Sequence, residues 1–545
     1  MYLQRACPAN GALDFRSLQD VIGPVMRGPS SSHCAAALRI GRIARDLMGG
    51  DLDQVIVQYD PKGSLATTHK SQGSDMGLFG GLLGWDADDD RLPHYLKGVE
   101  EAGLDIQIRI EDIQADHPNT YKLTLFNEVE MRELTAISLG GGMIEVVEID
   151  GNPLHMMGDY NESLLYADQP EQILAELAVE ANAFDEIKVH RGRIPFIQIK
   201  SQAFLSADLK TRLLQLPIVK QLKEIHPVLP VRSRQGLSVP FRTCAEMLVF
   251  NEDKNWPLWK LAQAYEMARG NLSSEEVFEK MRNIIRIMRS SIDSGIQGTS
   301  YEDRILGSQS PQFQQEMLKG NLVPGDALNQ VILFVSSMME VKSSMGVIVA
   351  APTAGSCGAL PGAVWGVAER LGLEEDEVVK AMLSAGLIGV FIAEGATFAA
   401  EVGGCMAECG SGSGMAAAAI AQMAGGNLSQ ALSAASQALQ NSLGMICDPI
   451  ANRVEAPCLG RNVMAASNAL SCANMALAQY DALIPLDEVI ATMNDVGNSI
   501  AHELRCTALG GLSITKTSKE IEQRLQMAEG GEESLTTAAR RFKIC

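Results

Sequence analysis

The order of apolar and polar residues divides the chain into three segments. In residues 1–157, alternating or β-branched runs predict strands separated by glycine-rich loops, and Ala35–Met48 has a helical pattern. This segment is therefore expected to form an α/β domain. Its predicted strands are Gln54–Tyr59, Ile106–Ile110, Tyr121–Phe126 and Met143–Ile149.

Residues 162–230 have a different order of elements. An Asp168-Gln169-Pro170 turn follows the first strand pattern, and the segment continues as helix, strand, strand, helix and strand. This βαββαβ order is typical of a ferredoxin-like domain. The predicted elements are Leu164–Tyr166, Glu171–Asn182, Glu186–His190, Phe196–Ser201, Ser206–Gln215 and Ile218–Ile225.

Residues 236–545 are predicted to form an all-α domain, because helical patterns dominate and strand-like runs are scarce. Ser273–Glu276 has the pattern of a capping box at a helix start. The acidic run Glu374–Glu377 also suits a helix N-terminus, where the backbone dipole favours negative charge. The predicted fold class is thus a multidomain protein with α/β, ferredoxin-like and all-α parts.

Charge and hydropathy narrow the classes of partner. The 545 residues include 45 Lys and Arg against 66 Asp and Glu, a net charge of −21, which argues against nucleic acid or an anionic membrane as the main partner. The most apolar run, Ala381–Ala393, is shorter than the about 20 residues that span a bilayer and predicts a buried core helix. Since no basic stretch followed by an apolar one opens the sequence, we expect no secretion signal and a cytoplasmic protein.

The chain contains an odd number of cysteines, 11 in all. Without a secretion signal, this number predicts reduced thiols, some of them used for metal or redox chemistry. The alternative for any one of them is a small buried apolar side chain. The cysteines are Cys7, Cys34, Cys244, Cys357, Cys405, Cys409, Cys447, Cys458, Cys472, Cys506 and Cys545.

Cys405, Cys447, Cys458 and Cys545 carry the strongest chemical signal. Glycines flank Cys405, and proline steps adjoin Cys447 and Cys458, so these three thiols are predicted at bends where the backbone can approach a bulky group. An iron–sulfur cluster needs soft thiolate ligands in such surroundings. Since no Cys-x-x-Cys pair is present, spacing alone leaves an iron–sulfur cluster, a zinc site and no metal equally open.

Several stretches, in the expected order, resemble the iron–sulfur-dependent L-serine dehydratase family. Residues 351–362 (APTAGSCGALPG), 401–419 (EVGGCMAECGSGSGMAAAA) and 447–462 (CDPIANRVEAPCLGRN) resemble its α domain. Residues 28–33 (GPSSSH), 63–75 (GSLATTHKSQGSD), 116–120 (DHPNT) and 138–143 (SLGGGM) resemble its β domain. The resemblance covers nearly the whole chain.

The middle segment resembles an ACT domain, a module that commonly binds amino-acid effectors. ACT domains usually carry glycine just after the Asp-x-Pro turn, where this chain has Glu171 and Gln172. Two functions therefore stay open for this segment: an amino-acid effector site, or a linker domain that only shapes a dimer.

The resemblance implies a [4Fe–4S] cluster held by Cys405, Cys447 and Cys458, with no pyridoxal phosphate. In some members a C-terminal cysteine caps the fourth iron until substrate displaces it, a role that Cys545 would fill here. The implied reaction eliminates water from L-serine and yields pyruvate and ammonia, with iron as the Lewis acid. The resemblance also implies a homodimer acting on a small amino acid in amino-acid degradation and gluconeogenesis.

Substrate-binding residues are predicted in the matched motifs. Ser30, Ser31, Ser32 and His33 offer hydroxyls and an imidazole in one loop, while the alternative for Ser32 is an N-cap of the following helix. A second predicted turn follows the apolar run Val347–Ala350. The remaining predicted substrate contacts are Lys70, Asp75, Thr353, Gly355 and Ser356. Cys357 and Cys409 match no ligand position and are predicted to be packing thiols.

The chain departs from the family at positions that bear on catalysis. Gln72 replaces a family histidine that is a candidate Cα base, and an amide cannot take that role, so His69 or His33 is the predicted base. Lys342 and Arg453 replace uncharged residues and are predicted to contact the substrate. They motivate two alternatives: a larger or more acidic β-hydroxy or β-thiol amino acid as substrate, or solvent-facing cations without a role. Loss of the base at residue 72 motivates a third, a catalytically inactive cluster-binding sensor.

Overall fold

A computed structural model describes residues 16–533 of the chain. Its strands are β1 (Val25–Met26), β2 (Gln54–Tyr59), β3 (Asp105–Ile110), β4 (Thr120–Phe126), β5 (Met131–Gly140), β6 (Met143–Ile149), β7 (Asn152–Met156), β8 (Asn161–Ala167), β9 (Phe184–His190), β10 (Phe196–Ser201), β11 (Val219–Ile225) and β12 (Ile348–Val349). Its first ten α-helices are α1 (Leu18–Val21), α2 (Ala36–Leu47), α3 (Leu65–Thr68), α4 (Ser74–Leu82), α5 (Tyr95–Ala102), α6 (Leu174–Leu177), α7 (Ala207–Leu214), α8 (Cys244–Asn251), α9 (Leu258–Gly270) and α10 (Ser274–Gln297).

The remaining α-helices form most of the C-terminal region. They are α11 (Ser310–Leu318), α12 (Asp326–Ser343), α13 (Ala359–Leu371), α14 (Glu375–Gly395), α15 (Ala400–Cys405), α16 (Ser411–Met423), α17 (Leu428–Gln440), α18 (Cys458–Leu477), α19 (Leu486–Ser499) and α20 (Lys516–Glu533).

Strands β2 to β7 form one six-stranded sheet in the order β3-β2-β4-β5-β6-β7. Strand β2 alternates in burial as its sequence predicts, with Val55, Val57 and Tyr59 buried. Helices α2 and α4 pack on the same core. The sequence analysis missed β5 and β7, although every second residue of β5 is buried.

Strands β8 to β11 form a four-stranded antiparallel sheet in the order β11-β8-β10-β9. The βαββαβ order is as predicted, but the helix predicted over Glu171–Asn182 is broken into short turns. Two 3₁₀ turns, Pro170–Ile173 and Ala178–Ala183, flank the single turn of α6, and Glu180 has non-helical backbone angles. Strand β9 then begins at the buried Phe184.

The C-terminal region is helical except for β12, which pairs antiparallel with β1. Helix α1 also packs on this region: a Cβ added to Gly389 of α14 would lie 2.2 Å from Val21 Cγ1. The start of the described chain therefore shares one apolar core with α8 to α14 and α16 to α19. This core connects the N-terminal segment to the predicted catalytic region.

Two predicted helix starts are confirmed. Ser273 caps α10, and Glu276 completes the capping box. Helix α14 begins with the acidic run Glu375–Glu377. By length and composition alone α14 could cross a membrane, and 78% of its apolar stretch is buried inside the protein, as expected of a core helix.

Candidate metal and substrate site

Buried cysteines adjoin a small cavity between the N-terminal and C-terminal regions: Cys447 and Cys458 line it, and Cys405 lies next to Cys447. The sulfurs of Cys405 and Cys447 and a carboxylate oxygen of Glu408 lie within 4.8 Å of one another, a spacing that could hold a metal ion. The cavity is small, with a volume of about 10 Å³. Its lining includes Ser30, Gln72, Ala400, Glu401, Glu408, Cys447, Pro449, Val454, Cys458 and Cys506.

The backbone at Cys405 depends on a glycine. Gly404 has φ +67°, and a Cβ at this position would lie 2.6 Å from the carbonyl oxygen of Met445. The left-handed turn ends α15 at Cys405 and lets the chain approach the segment before Cys447. The predicted bend around Cys405 is thus present, and it brings Gly404 close to Met445.

The other two thiols lie at element ends. Cys447 is extended, and its N–H donates to the carbonyl oxygen of Leu504 over 2.8 Å. Cys458 is the first residue of α18, where Asn462 Nδ2 donates to its carbonyl oxygen over 2.9 Å. Neither thiol projects from the middle of a helix, so both are available to the cavity.

The pKa values of Cys405, Cys447 and Cys458 are shifted in different directions. The pKa of Cys405 is lowered by its hydrogen bond with Cys447 and by the Arg461 guanidinium, whose nitrogen lies 3.4 Å from the sulfur. Hydrogen bonding with Cys405 and with Cys506 raises the pKa of Cys447, and burial raises the pKa of Cys458. The site therefore stabilises one thiolate first and needs a further cation to hold more.

The serine loop, residues 30–33, reaches the cavity at Ser30. Ser30 is extended and precedes a π-helical turn, Ser31–Ala35, that leads into α2. The alternative role of Ser32 as N-cap is wrong, because Ser32 lies inside this turn and α2 has no side-chain cap. Ser31 Oγ instead accepts a hydrogen bond of 3.1 Å from Ala354 N–H in the second predicted loop.

His33 is fully buried within a line of hydrogen bonds. Its Nδ1 lies 3.0 Å from Ser30 Oγ, and its Nε2 lies 2.8 Å from Thr68 Oγ1. Thr68 Oγ1 donates to the Ser64 carbonyl oxygen, so it accepts from Nε2–H, and Nδ1 is left to accept from Ser30. Burial lowers the pKa of His33 to about 3, which keeps the ring neutral.

The second predicted turn, at residues 353–356, contacts both the serine loop and the thiol-bearing segment. Thr353 Oγ1 donates to Glu408 Oε1 over 2.6 Å, and the Thr353 N–H donates to Ser356 Oγ over 3.3 Å. A Cβ at Gly355 would lie 2.8 Å from Glu408 Oε1. Burial raises the pKa of Glu408 to about 8. The loop thus contacts the carboxyl group that adjoins the thiols.

His69 and Asp75 form a pair next to this site. His69 Nδ1 lies 2.8 Å from Asp75 Oδ1, and the ring packs 5.3 Å from that of Tyr59. Gln72, the residue in place of the family histidine, lines the cavity and donates from Nε2 to Asn452 Oδ1 over 3.0 Å. His69 is not among the described residues that line the cavity.

Comparisons with known proteins match both halves of this arrangement. The family described as "Serine dehydratase alpha chain" matches residues 253–513. The "Probable L-serine dehydratase, alpha chain" of Bacillus subtilis (strain 168) is 35% identical over 298 residues, 55% of this chain and 99% of its own.

The "Probable L-serine dehydratase, beta chain" of the same strain is 36% identical over 220 residues, 39% of this chain and 99% of its own. The chain belongs to the serine dehydratase family. "L-serine dehydratase 1" of Escherichia coli (strain K12) is 26% identical over 505 residues, 89% of this chain and 96% of its own. The resemblance of this serine dehydratase family member to its relatives thus extends beyond the thiol-bearing region.

Lys342 and Arg453 are the two cations that set this serine dehydratase family member apart from the family pattern. Both interact with other groups of the protein. Lys342 is fully buried, and its Nζ donates to the carbonyl oxygen of Val454. Its solvent-facing alternative is therefore wrong. Arg453 forms a two-pronged ion pair with Asp303, at 2.7 and 2.9 Å. Lys70 is exposed, and Cys545 lies outside the described residues.

Sequence reasoning missed several site residues. Cys506, which lies in none of the matched motifs, lines the cavity and contacts both Cys447 and Gln72. Asn119, Ser138 and Glu401 are buried, and each has side-chain atoms without a hydrogen-bond partner of regular geometry among the described residues. Asn119 and Ser138 lie in the quoted DHPNT and SLGGGM motifs, which were the available signal.

Proposed function

We propose that this chain is an L-serine dehydratase that eliminates water from L-serine and releases pyruvate and ammonia. The observation that carries the proposal is the cavity in which Cys447, Cys458 and Glu408 face Ser30 and Gln72. Family membership and the names of the relatives agree with this activity. The proposal requires no pyridoxal phosphate.

We further propose a [4Fe–4S] cluster as the resident cofactor, held by Cys405, Cys447 and Cys458. Soft thiol donors, bent backbone at Gly404 and a guanidinium beside Cys405 suit such a group. When bound, the cluster supplies a Lewis-acidic iron that polarises the leaving hydroxyl of the substrate.

Ser30 and His33 support the transfer of the Cα proton. Ser30 lines the cavity, and its Oγ lies within hydrogen-bond distance of His33 Nδ1. A proton taken at Ser30 Oγ would find His33 Nδ1 as an acceptor 3.0 Å away. Thr68 fixes the opposite ring nitrogen and thereby the orientation of the imidazole. His69, oriented by Asp75, is the second candidate base.

Buried polar atoms without regular hydrogen bonds support a site for a small charged substrate. Glu401 lies 3.4 Å from His33, and its Oε2 has no partner of regular geometry among the described residues. The hydroxyl of Ser138 is in the same condition, and the Asn119 side chain contacts the Glu401 carboxyl group. Such atoms are costly to bury unless a ligand or water satisfies them, and the ammonium and carboxylate groups of an amino acid would do so.

We propose that the middle segment is an ACT-like domain, supported by its βαββαβ order and the sheet order β11-β8-β10-β9. Glu171, which directly follows the Asp168-Gln169-Pro170 turn, forms an ion pair with Arg191. Calorimetric titration of the whole protein with free amino acids tests whether this segment binds an effector.

The experiment for the activity uses protein purified without oxygen and loaded with iron and sulfide. We expect pyruvate and ammonia in equal amounts from L-serine, in proportion to the bound iron. Cys458→Ala should lose both iron and activity, whereas Cys244→Ala, at a buried thiol away from the cavity, should keep them.

A panel of amino acids separates the alternatives. Faster turnover of an acidic β-hydroxy or β-thiol amino acid than of L-serine would replace the proposed substrate. A fully loaded protein that releases no product from any amino acid would instead favour the cluster-binding sensor.

A further inference from the structure

Cys506 is held directly against the segment that carries Cys447. Its backbone N–H donates to the carbonyl oxygen of Cys447 over 2.9 Å, while the Cys447 N–H donates to Leu504 over 2.8 Å. The thiols of Cys447 and Cys506 also form a hydrogen bond. Two backbone contacts and one side-chain contact thus fix Cys506 beside a proposed cluster ligand.

The Cys506 thiol faces the cavity. It lines the same space as Cys447 and Cys458, and only 4% of the residue is exposed. Its sulfur accepts from Gln72 Nε2 at 3.4 Å, so a polar side chain from the serine-loop side adjoins it. Cys405, by contrast, is contacted by Arg461 and is not one of the described residues that line the cavity.

The backbone at Cys506 is in an unusual conformation. Cys506 and Ala508 both have φ +58°, the left-handed region that non-glycine residues rarely adopt. The loop is tied down further on, because Leu512 N–H donates to Asp448 Oδ2 over 2.7 Å. Such conformations cost free energy and persist where the surrounding structure enforces them, commonly at functional sites.

We propose that Cys506 caps the fourth iron of the cluster until substrate displaces it, beside the three ligands Cys405, Cys447 and Cys458. Three thiols line the pocket and the fourth, Cys405, adjoins Cys447, which together match the donor number of a [4Fe–4S] cluster. This inference rests on the cluster proposed above. It assigns the capping role to a residue that the loop already holds beside Cys447, rather than to Cys545.

The test compares Cys506→Ala with Cys545→Ala, and uses Cys357→Ala as a matched control at a buried thiol that does not line the cavity. Each protein is loaded without oxygen, then oxidised mildly, and its iron content and electron paramagnetic resonance spectrum are measured. An iron without a protein thiol is lost first, which leaves a paramagnetic three-iron cluster. We expect Cys506→Ala to fall from about four irons per chain to about three. Cys545→Ala and Cys357→Ala should match the unaltered protein.

A second variant, Cys506→Ser, guards against misfolding because serine keeps the size and hydrogen-bonding capacity of the side chain. It should fold with an unchanged thermal midpoint and still show the three-iron signal. If the Cys506 variants keep four irons on oxidation and Cys545→Ala loses one, the inference is overturned while the cluster stands. If the unaltered protein binds no cluster at all, both proposals fail.

Discussion

A guanidinium nitrogen of Arg461 lies 3.4 Å from the sulfur of Cys405, while the same side chain pairs with Asp448. The arginine thus adds positive charge at the thiol whose pKa is lowered. Asp448 in turn accepts from Leu512 N–H in the loop that follows Cys506. One side chain therefore connects two of the proposed ligand segments.

Arg461→Gln should weaken iron binding. A hydrogen bond to a charged group contributes about 1.5–3 kcal/mol, which corresponds to a roughly ten- to hundred-fold loss of affinity. Iron content measured after titration with a chelator reports this loss. Arg286→Gln, at an exposed arginine paired with Glu375, is the control and should leave iron retention unchanged. Equal chelator resistance in the two variants would exclude a role for Arg461 in the site.

Activity should not depend on the titration of His33 over the physiological range. Burial lowers the pKa of His33 to about 3, so the ring stays neutral from pH 5 to pH 9 and is protonated only in strong acid. We expect His33→Asn to reduce kcat by about 10²- to 10⁴-fold at unchanged iron content. A fall in kcat/KM between pH 8 and pH 5 that disappears in His33→Asn would contradict this assignment.

The stability of the protein should fall as pH rises through the range that Glu162 titrates. Burial raises the pKa of Glu162 to about 7 from the ordinary value of 4.5. The folded protein therefore retains a proton that the unfolded chain releases, and this stabilisation is complete below pH 4.5 and lost as pH rises through 7. The contribution is about 3 kcal/mol.

Denaturant unfolding across pH 4.5–7.5 measures this effect. Glu162→Gln should flatten the dependence, because an amide keeps the hydrogen bond with Gln198 and cannot titrate. Glu100→Gln, at an exposed glutamate, is the control and should keep the slope of the unaltered protein.

Gly389→Ala should destabilise the contact between α1 and α14. The added Cβ would lie 2.2 Å from Val21 Cγ1, and such overpacking costs about 1–3 kcal/mol. Gly460 is the matched glycine, since it lies in α18 with no atom within 4 Å of an added Cβ. Gly460→Ala should leave the thermal midpoint unchanged or raise it. A similar response of both variants would show that the α1 contact does not limit stability.

Local chemistry explains which parts of the fold were predictable. The capping box at Ser273 and the alternation of β2 depend on neighbouring residues, so their sequences predict them directly. The break at Glu180 lies inside a stretch with a helical pattern, so the sequence of Glu171–Asn182 does not indicate it.

The site divides in the same way. The serine loop and the segment at Cys405 are recognisable as motifs, and both adjoin the cavity. Cys506 has no such motif, because its place is set by backbone hydrogen bonds to Cys447, a residue 59 positions earlier in the chain. Likewise, the burial of Lys342 follows from the approach of Val454, which the composition around Lys342 does not indicate.

The ladder between β1 and β12 bears on how the pocket is assembled. Strand β1 precedes the serine loop at Ser30, and β12 precedes the loop at Thr353, so the ladder aligns the two loops. Because both strands belong to one polypeptide, they meet at a local concentration set by the intervening chain and independent of dilution. Each molecule therefore carries one copy of either loop, and the stoichiometry of the pocket is fixed when the chain is synthesised.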